Sequence, residues 1–411
     1  MARSQDIPEF GNLAGLKVVV SAVSTAGPFV GNLMAENGAD VVLLEPPKGI
    51  DPLRWSCGGW GVENERRNMR SIVLDVTQPE GRDIFLKLIA KADAFVEASR
   101  GGQWDSWGYS DETLWECNAK LIIAHMSGYG QFGDPDYVKR PGYDHTIQGF
   151  SGMMELNGFP DRDPILAQRF PTDYYNALFA YGSILAAYIK AQKTGAGESI
   201  DLAQYEASVR CQGPLYSQYL MEGKQEPRQG SENPNKAGVG YYTCKDGGGM
   251  YTIFINEGVM KRLIPFLGLE YGSELFPEGM TAVSRNTEAA DIFEKAIRDY
   301  LASKTAMEAE AELLSHGFPC CRVLGYAEME ADPHYRARET FIEWENVRGE
   351  TIKGIHPFPR FKNNPARIWR GAPTIGMDTE DVLADIGIAD EALVRDLYEK
   401  KIIQKKDILR G

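Results

Sequence analysis

Short apolar runs and amphipathic segments alternate along the first two hundred residues. Leu16-Lys17-Val18-Val19-Val20-Ser21 is a β-branched run that predicts a buried strand. Pro28 then suits the first turn of a helix, and Gly38 its C-terminal stop. Asp40-Val41-Val42-Leu43-Leu44-Glu45 reads as the next strand. Strand, helix and strand in that order predict a right-handed βαβ unit with parallel pairing. The same alternation continues. Strands are predicted at Ser71–Asp75, Ala94–Ala98 and Lys120–Met126. Between them a helix carries Ile84, Phe85, Leu88 and Ile89 on one face, opened by a Thr77-Gln78-Pro79-Glu80 capping box. Ser110 caps a shorter helix. The fold class this alternation predicts is α/β.

The longest apolar segment, Ala177–Ile189, predicts a buried helix that begins at Thr172-Asp173. A turn at 193–199, a strand at 200–202 and a helix from Gln204 to about Met221 follow. The Gly-, Pro- and Asn-rich stretch 223–240 reads as a linker. Beyond it, Tyr241–Cys244 and Tyr251–Ile255 flank a glycine turn and predict a hairpin. Two helices follow, at Thr287–Ser303 and Thr305–His316. The expected organisation is a large domain over 1–222, the linker, a smaller α+β domain over 241–330, and a segment over 331–411 with a hairpin around Arg348-Gly349-Glu350 and a final helix.

Composition narrows the function classes. The formal net charge of −14 argues against a nucleic-acid partner or an anionic membrane surface. It leaves room for a local basic pocket holding a phosphorylated ligand. The 6 cysteines form no CxxC pair, which points to reduced thiols and a cytoplasmic protein. Cys320-Cys321 lie in a strand-like run and are expected as core thiols. The 5 histidines show no metal-ligand spacing, so no metal is expected. The apolar segment is shorter than a membrane span needs, and the N-terminus carries no signal-peptide pattern.

Three features carry candidate chemistry. Asp173 stands at a helix start, where unpaired N–H groups and the helix dipole favour an ionised carboxylate. It reads either as a cap or as a nucleophile. Arg100-Gly101-Gly102 follows a strand, where open α/β sheets bind ligands; a solvated surface arginine is the plainer alternative. Glu45 ends the second strand, yet GxGxxG is absent, with only Gly27 and Gly31 about Pro28, so a nicotinamide or flavin is not expected. The strand-to-helix junction at Thr25-Ala26 remains a candidate nucleotide or anion contact. His125, inside an apolar run, reads as a satisfied core histidine.

Several signatures recur in one order along the chain: Leu13-Ala14-Gly15-Leu16-Lys17-Val18-Val19, Ala26-Gly27-Pro28, Gly38-Ala39-Asp40-Val41, Ile123–Gly130, Thr194–Asp201, Phe361–Pro365, Ile368–Gly371 and Gly376-Met377-Asp378. With these the chain resembles the CaiB/BaiF family, the class III CoA transferases, nearest to the bile-acid and carnitine branch. The resemblance implies coenzyme A as a substrate, with no permanently bound cofactor. It implies an acyl-CoA donor, a small carboxylic acid acceptor and a covalent aspartyl intermediate. Asp173 falls at the family's nucleophile and Arg100 at its CoA-contacting basic residue. Thr25, Ala26, Arg140 and Tyr143 complete the expected CoA contacts, Arg140 as a compensating charge. Two positions depart from the pattern: Pro46 and Ser106-Trp107 stand where relatives carry basic residues. The resemblance also implies a large Rossmann-like domain, completed by 331–411 as a return segment, and a smaller domain, together making a ring-shaped subunit in an interlocked homodimer.

Within the resemblance, a 2-methylacyl-CoA racemase and a non-catalytic CoA-binding protein are the rivals. A racemase needs a second acid/base at the position of Tyr143, and His145 is displaced from it by two residues. Oxyanion donors are sought among Gly238-Val239-Gly240 and Gly247-Gly248-Gly249. A carnitine-type acid would call for an aromatic cage, for which Trp104, Tyr174 and Tyr175 are the candidates. A bile acid would call for a broad apolar slot.

Overall fold

In the computed structural model, which describes residues 3–410, the chain forms two compact units. The first comprises Met1–Met154, Leu166–Gln225 and Glu339–Gly411. Its centre is a seven-stranded sheet. Six strands, β1 (Lys17–Ser21), β2 (Asp40–Glu45), β3 (Arg70–Leu74), β4 (Ala94–Glu97), β5 (Ile122–Ser127) and β6 (Glu198–Ala203), run parallel in the order 3-2-1-4-5-6. The C-terminal strand Ile403–Gln404 pairs antiparallel with β3 at the edge. The order reverses between β1 and β4. In an open α/β sheet, that reversal opens a crevice at the carboxyl ends of the strands.

The buried β-branched runs arise because both sheet faces are covered. Val19, Val42, Ile72 and Phe95 point to one core, joined by Ile84, Phe85 and Leu88 of helix Pro79–Ile89. Val18, Val20, Val41 and Val96 point to the other. That second core is closed by α1 (Ala26–Glu36) and α2 (Pro171–Thr194).

α2 starts one residue ahead of Thr172, with Pro171 in its first turn, and it stops at Gly195 in the left-handed region. It buries a single face, Thr172, Asn176, Ala177, Ala180, Ile184, Ala187 and Ala191. Leu178, Phe179 and Ile189 are exposed, so the expected buried helix is present but buried on one face only. The expected Thr77–Glu80 capping box is also absent. Thr77 donates both its N–H and its hydroxyl to Asp75, and Gln78 is the cap, contributing no side-chain bond.

The second unit comprises Glu155–Ile165 and Glu226–Arg338. A three-stranded antiparallel sheet, in the order Cys320–Val323, Gly249–Ile253, Val239–Thr243, shares its core with helices Glu257–Phe266, Glu288–Ala302 and Ala306–Ser315. Its boundaries differ from those read in sequence. Much of the 223–240 stretch is structured within this unit: Lys236–Ala237 pairs with Val283–Ser284, and Val239 already begins a sheet strand. The glycines and asparagines there make turns inside a packed body rather than a tether. Of the adjacent cysteines, Cys320 is half-buried and Cys321 exposed, as strand alternation requires, so only one faces the core.

Candidate active site

Asp173 is the third residue of α2, and its N–H bonds to the carbonyl of Phe170. It therefore sits inside the first turn instead of capping it. Its Oδ1 accepts a 2.5 Å hydrogen bond from Gln204 Nε2, at the end of β6. The same nitrogen donates to Thr172 Oγ1 at 2.9 Å. Thr172 in turn donates its hydroxyl (2.7 Å) and its N–H (2.8 Å) to Asp144 Oδ1. Gln148 donates to Asp144 Oδ2 at 2.7 Å and is locked in that orientation by both backbone groups of Ala167. Asp144 is buried, and its charge is met by hydrogen-bond donors.

These neighbours alter the expected ionisation of Asp173. Burial first, and then the Asp144 carboxylate, push its pKa up from 3.8 to about 7. The Gln204 hydrogen bond opposes the rise, and the Glu65 carboxylate adds to it. The helix start favours the anion, as the sequence implied, but burial and two nearby carboxylates outweigh it.

A cavity of about 390 Å³ opens over this carboxyl. It is lined by Thr25, Ala26, Arg100, Tyr143, Asp173 and Gln204 among others, so five of the six expected site residues meet in one place. Its walls come from the loops after β1, β4 and β5, at the crevice where the strand order reverses. Two bare glycines let those walls approach: a Cβ added to Gly128 would lie 2.6 Å from Gly142 Cα. A second cavity of about 410 Å³ shares Val23, Ala98, Ser99 and Trp107 with the first and extends past Pro46, Lys48, Asp75 and Thr77. Thr25 is 1% exposed, and its hydroxyl has no hydrogen-bond partner among the described residues.

Other expected residues are placed elsewhere. Arg140 is outside both linings, stacked 3.7 Å from the Tyr137 ring centroid. His145 is also outside them, against Phe170. Trp104 is buried among Phe85, Phe95 and Tyr109, and the Tyr174 hydroxyl donates to Glu65 at 2.7 Å, so the aromatic cage is not assembled. The N–H groups of Gly238, Gly247 and Gly248 already bond Glu294, Cys244 and Asp246 within the second unit, which removes them as ready oxyanion donors. Sequence reading passed over Gln204, Asp144 and Lys48. Their only signal was position: Gln204 and Lys48 each stand just beyond a strand's carboxyl end, and Asp144 adjoins Tyr143. His125 is satisfied, as expected. Its two nitrogens lie 2.8 Å from Glu97 Oε1 and 2.9 Å from Asp111 Oδ1, and their hydrogen bonds, working against burial, raise its pKa to about 10.

A doubly wound sheet whose crevice is lined by a carboxylate, Asp173, and an arginine, Arg100, has the layout in which open α/β folds bind ligands. Comparison with known proteins specifies it further. CoA-transferase family III matches residues 13–379, and the chain belongs to that family; it is a class III CoA transferase. It is 37% identical over 391 residues to bile acid CoA-transferase BaiK of Clostridium scindens, covering 94% of this chain and 89% of that one. It is 38% identical over 406 residues to L-carnitine CoA-transferase of Proteus mirabilis, covering 97% and 98%. A CAIB/BAIF family protein from Brucella suis superposes with a TM-score of 0.80 at 29% identity, over 92% of this chain and 100% of that one.

Proposed function

We propose that this transferase moves CoA from an acyl-CoA to a free carboxylic acid, with Asp173 as the covalent carrier. The observation that carries the reading is the Asp173 carboxyl itself. It faces the cavity and is bonded on one oxygen by Gln204 alone among the described residues, with no cation paired to it. The ionised carboxylate attacks the thioester carbonyl carbon and the C–S bond breaks, leaving an aspartyl anhydride and CoA thiolate. The thiolate attacks the Asp173 carbonyl and expels the first acid as its carboxylate. The acceptor carboxylate then attacks the aspartyl-CoA thioester, and the returning thiolate takes the new acyl group and frees Asp173. Protons balance without an external donor. The bond energy of the thioester is kept throughout, provided water is excluded.

The two adjoining cavities suit a ligand as long as CoA. Arg100 and Lys48 border them as phosphate contacts, and the unpartnered Thr25 hydroxyl offers a further hydrogen bond. Lys48 supplies the charge that Pro46 does not. The acid is of the bile-acid or carnitine type, in keeping with relatives of both kinds at similar identity. Incubation with paired acyl-CoAs and free acids should yield exchanged thioesters and a CoA adduct on the peptide containing Asp173, read by mass spectrometry. Demonstrated turnover without that adduct overturns the covalent route. CoA binding without exchange returns the non-catalytic reading, and deuterium uptake at the acyl α-carbon returns the racemase.

We also propose the interlocked homodimer and a cytoplasmic location. The apolar exposed side chains Leu178, Phe179 and Ile189 of α2, and Tyr216, Leu220 and Met221 of helix Leu215–Glu222, support the first. The 6 free cysteines support the second. Light scattering on the eluted protein should give twice the chain mass of 45.7 kDa; a single chain mass excludes the dimer.

A further inference from the structure

The loop after β4 presents Arg100 to the cavity, and its backbone is held from beneath by a buried charged array. Glu97 ends β4 and is 1% exposed. Its Oε2 accepts the Ser99 N–H at 2.7 Å, directly before Arg100. Its Oε1 lies 2.8 Å from His125 Nδ1, on the register-paired residue of β5. The other imidazole nitrogen lies 2.9 Å from Asp111 Oδ1. Both ring nitrogens face carboxylate oxygens, so both carry hydrogens and the ring is an imidazolium. The far end of the loop is tied as well: Gly102 N–H donates to Gln131 Oε1 at 3.0 Å, and Gln131 N–H to Asp201 Oδ2 at 2.9 Å.

We propose that His125 is a positioning residue for the CoA-binding loop, acting through Glu97 without touching substrate. A buried Glu97 with no cation would be an uncompensated charge. The imidazolium supplies the compensation, and Asp111 fixes the ring. Glu97 can then hold the Ser99 N–H and with it the direction in which Arg100 leaves the loop. An exposed arginine has many rotamers, and it meets a phosphate only if its backbone is set.

The inference rests on reading Arg100 as a CoA contact, so the test separates the two. Steady-state transfer is measured for Arg100→Ala, His125→Gln, Asp111→Asn and the Arg100→Ala/His125→Gln double variant, with melting temperatures alongside. Arg100→Ala should raise KM for acyl-CoA about ten-fold. His125→Gln should raise it roughly three- to ten-fold with kcat within about two-fold, and the double variant should be no worse than Arg100→Ala. Multiplying effects in the double variant, or a lowered melting temperature with unchanged KM in His125→Gln, overturns the positioning role. An unchanged KM in Arg100→Ala overturns the CoA reading of the loop. A raised KM there beside an unchanged KM in His125→Gln overturns only the inference about His125. Should His125→Gln not fold, Asp111→Asn carries the same criteria, because Asp111 is partly exposed at a helix start and its loss loosens the ring from the side away from Ser99.

Discussion

Asp173→Asn is expected to abolish CoA transfer, a loss on the order of a thousand-fold or more, and at the same time to stabilise the fold above neutral pH. The first effect follows because an amide cannot form the anhydride or the thioester. The second follows from the raised pKa. Ionising Asp173 in the folded chain opposes burial and the nearby Asp144 and Glu65 charges, whereas in the unfolded chain it meets only water. Below the unfolded value of 3.8 both states are protonated and the carboxyl makes no difference. As pH rises, the unfolded chain releases its proton first and the folded state is penalised. The penalty is complete once pH passes about 7. The asparagine variant, which carries no such charge, should melt with the parent near pH 4, pull ahead between there and neutrality, and hold a constant lead above it. Thermal scans at several pH values measure this directly. A lead that is the same at every pH would mean that ionisation of Asp173 is not what strains the site. Residual transfer within ten-fold of the parent would remove Asp173 as the carrier.

The sheet was readable from the chain because a doubly covered parallel strand leaves a plain mark. The run Val18-Val19-Val20 is apolar without alternation, since Val19 serves one core and its neighbours the other. The edge strand Ile403–Gln404 left none, being two residues long and set by pairing with a strand far away in sequence. The site divides in the same way. Residues that follow strands, such as Arg100, Thr25 and Ala26, could be placed because topology puts strand ends at the crevice. The protonation of Asp173 could not. A local argument sees only the helix dipole, while the carboxylate of Asp144 and the amide of Gln204 reach it through tertiary structure. Trp104 failed as a cage residue for a similar reason. Its place in an aromatic core depends on Phe85 and Phe95, in different elements.

Gln204→Leu isolates the one side-chain hydrogen bond, among the described residues, that draws Asp173 toward ionisation. Its amide gives the sole side-chain hydrogen bond to that carboxylate among the described residues, and it lowers the pKa that burial and Asp144 raise. A hydrogen bond to a charged acceptor is worth roughly 1.5–3 kcal/mol, which corresponds to about one to two pH units. The parent enzyme should gain activity as pH rises through about 7, the value at which Asp173 ionises. In the variant that rise should move upward by about one to two units, so transfer near pH 7 falls about five- to fifty-fold and regains about half or more of its full value near pH 9. Leucine keeps the volume, and Thr172 keeps both of its bonds to Asp144, so the start of α2 remains anchored. Rate profiles across that range decide between two roles for the amide. A loss that recovers with pH assigns it to the charge of the nucleophile. A loss equal at every pH would mean that the amide orients the carboxylate or meets the developing oxyanion, and the raised pKa would then have to be overcome by the bound acyl-CoA itself.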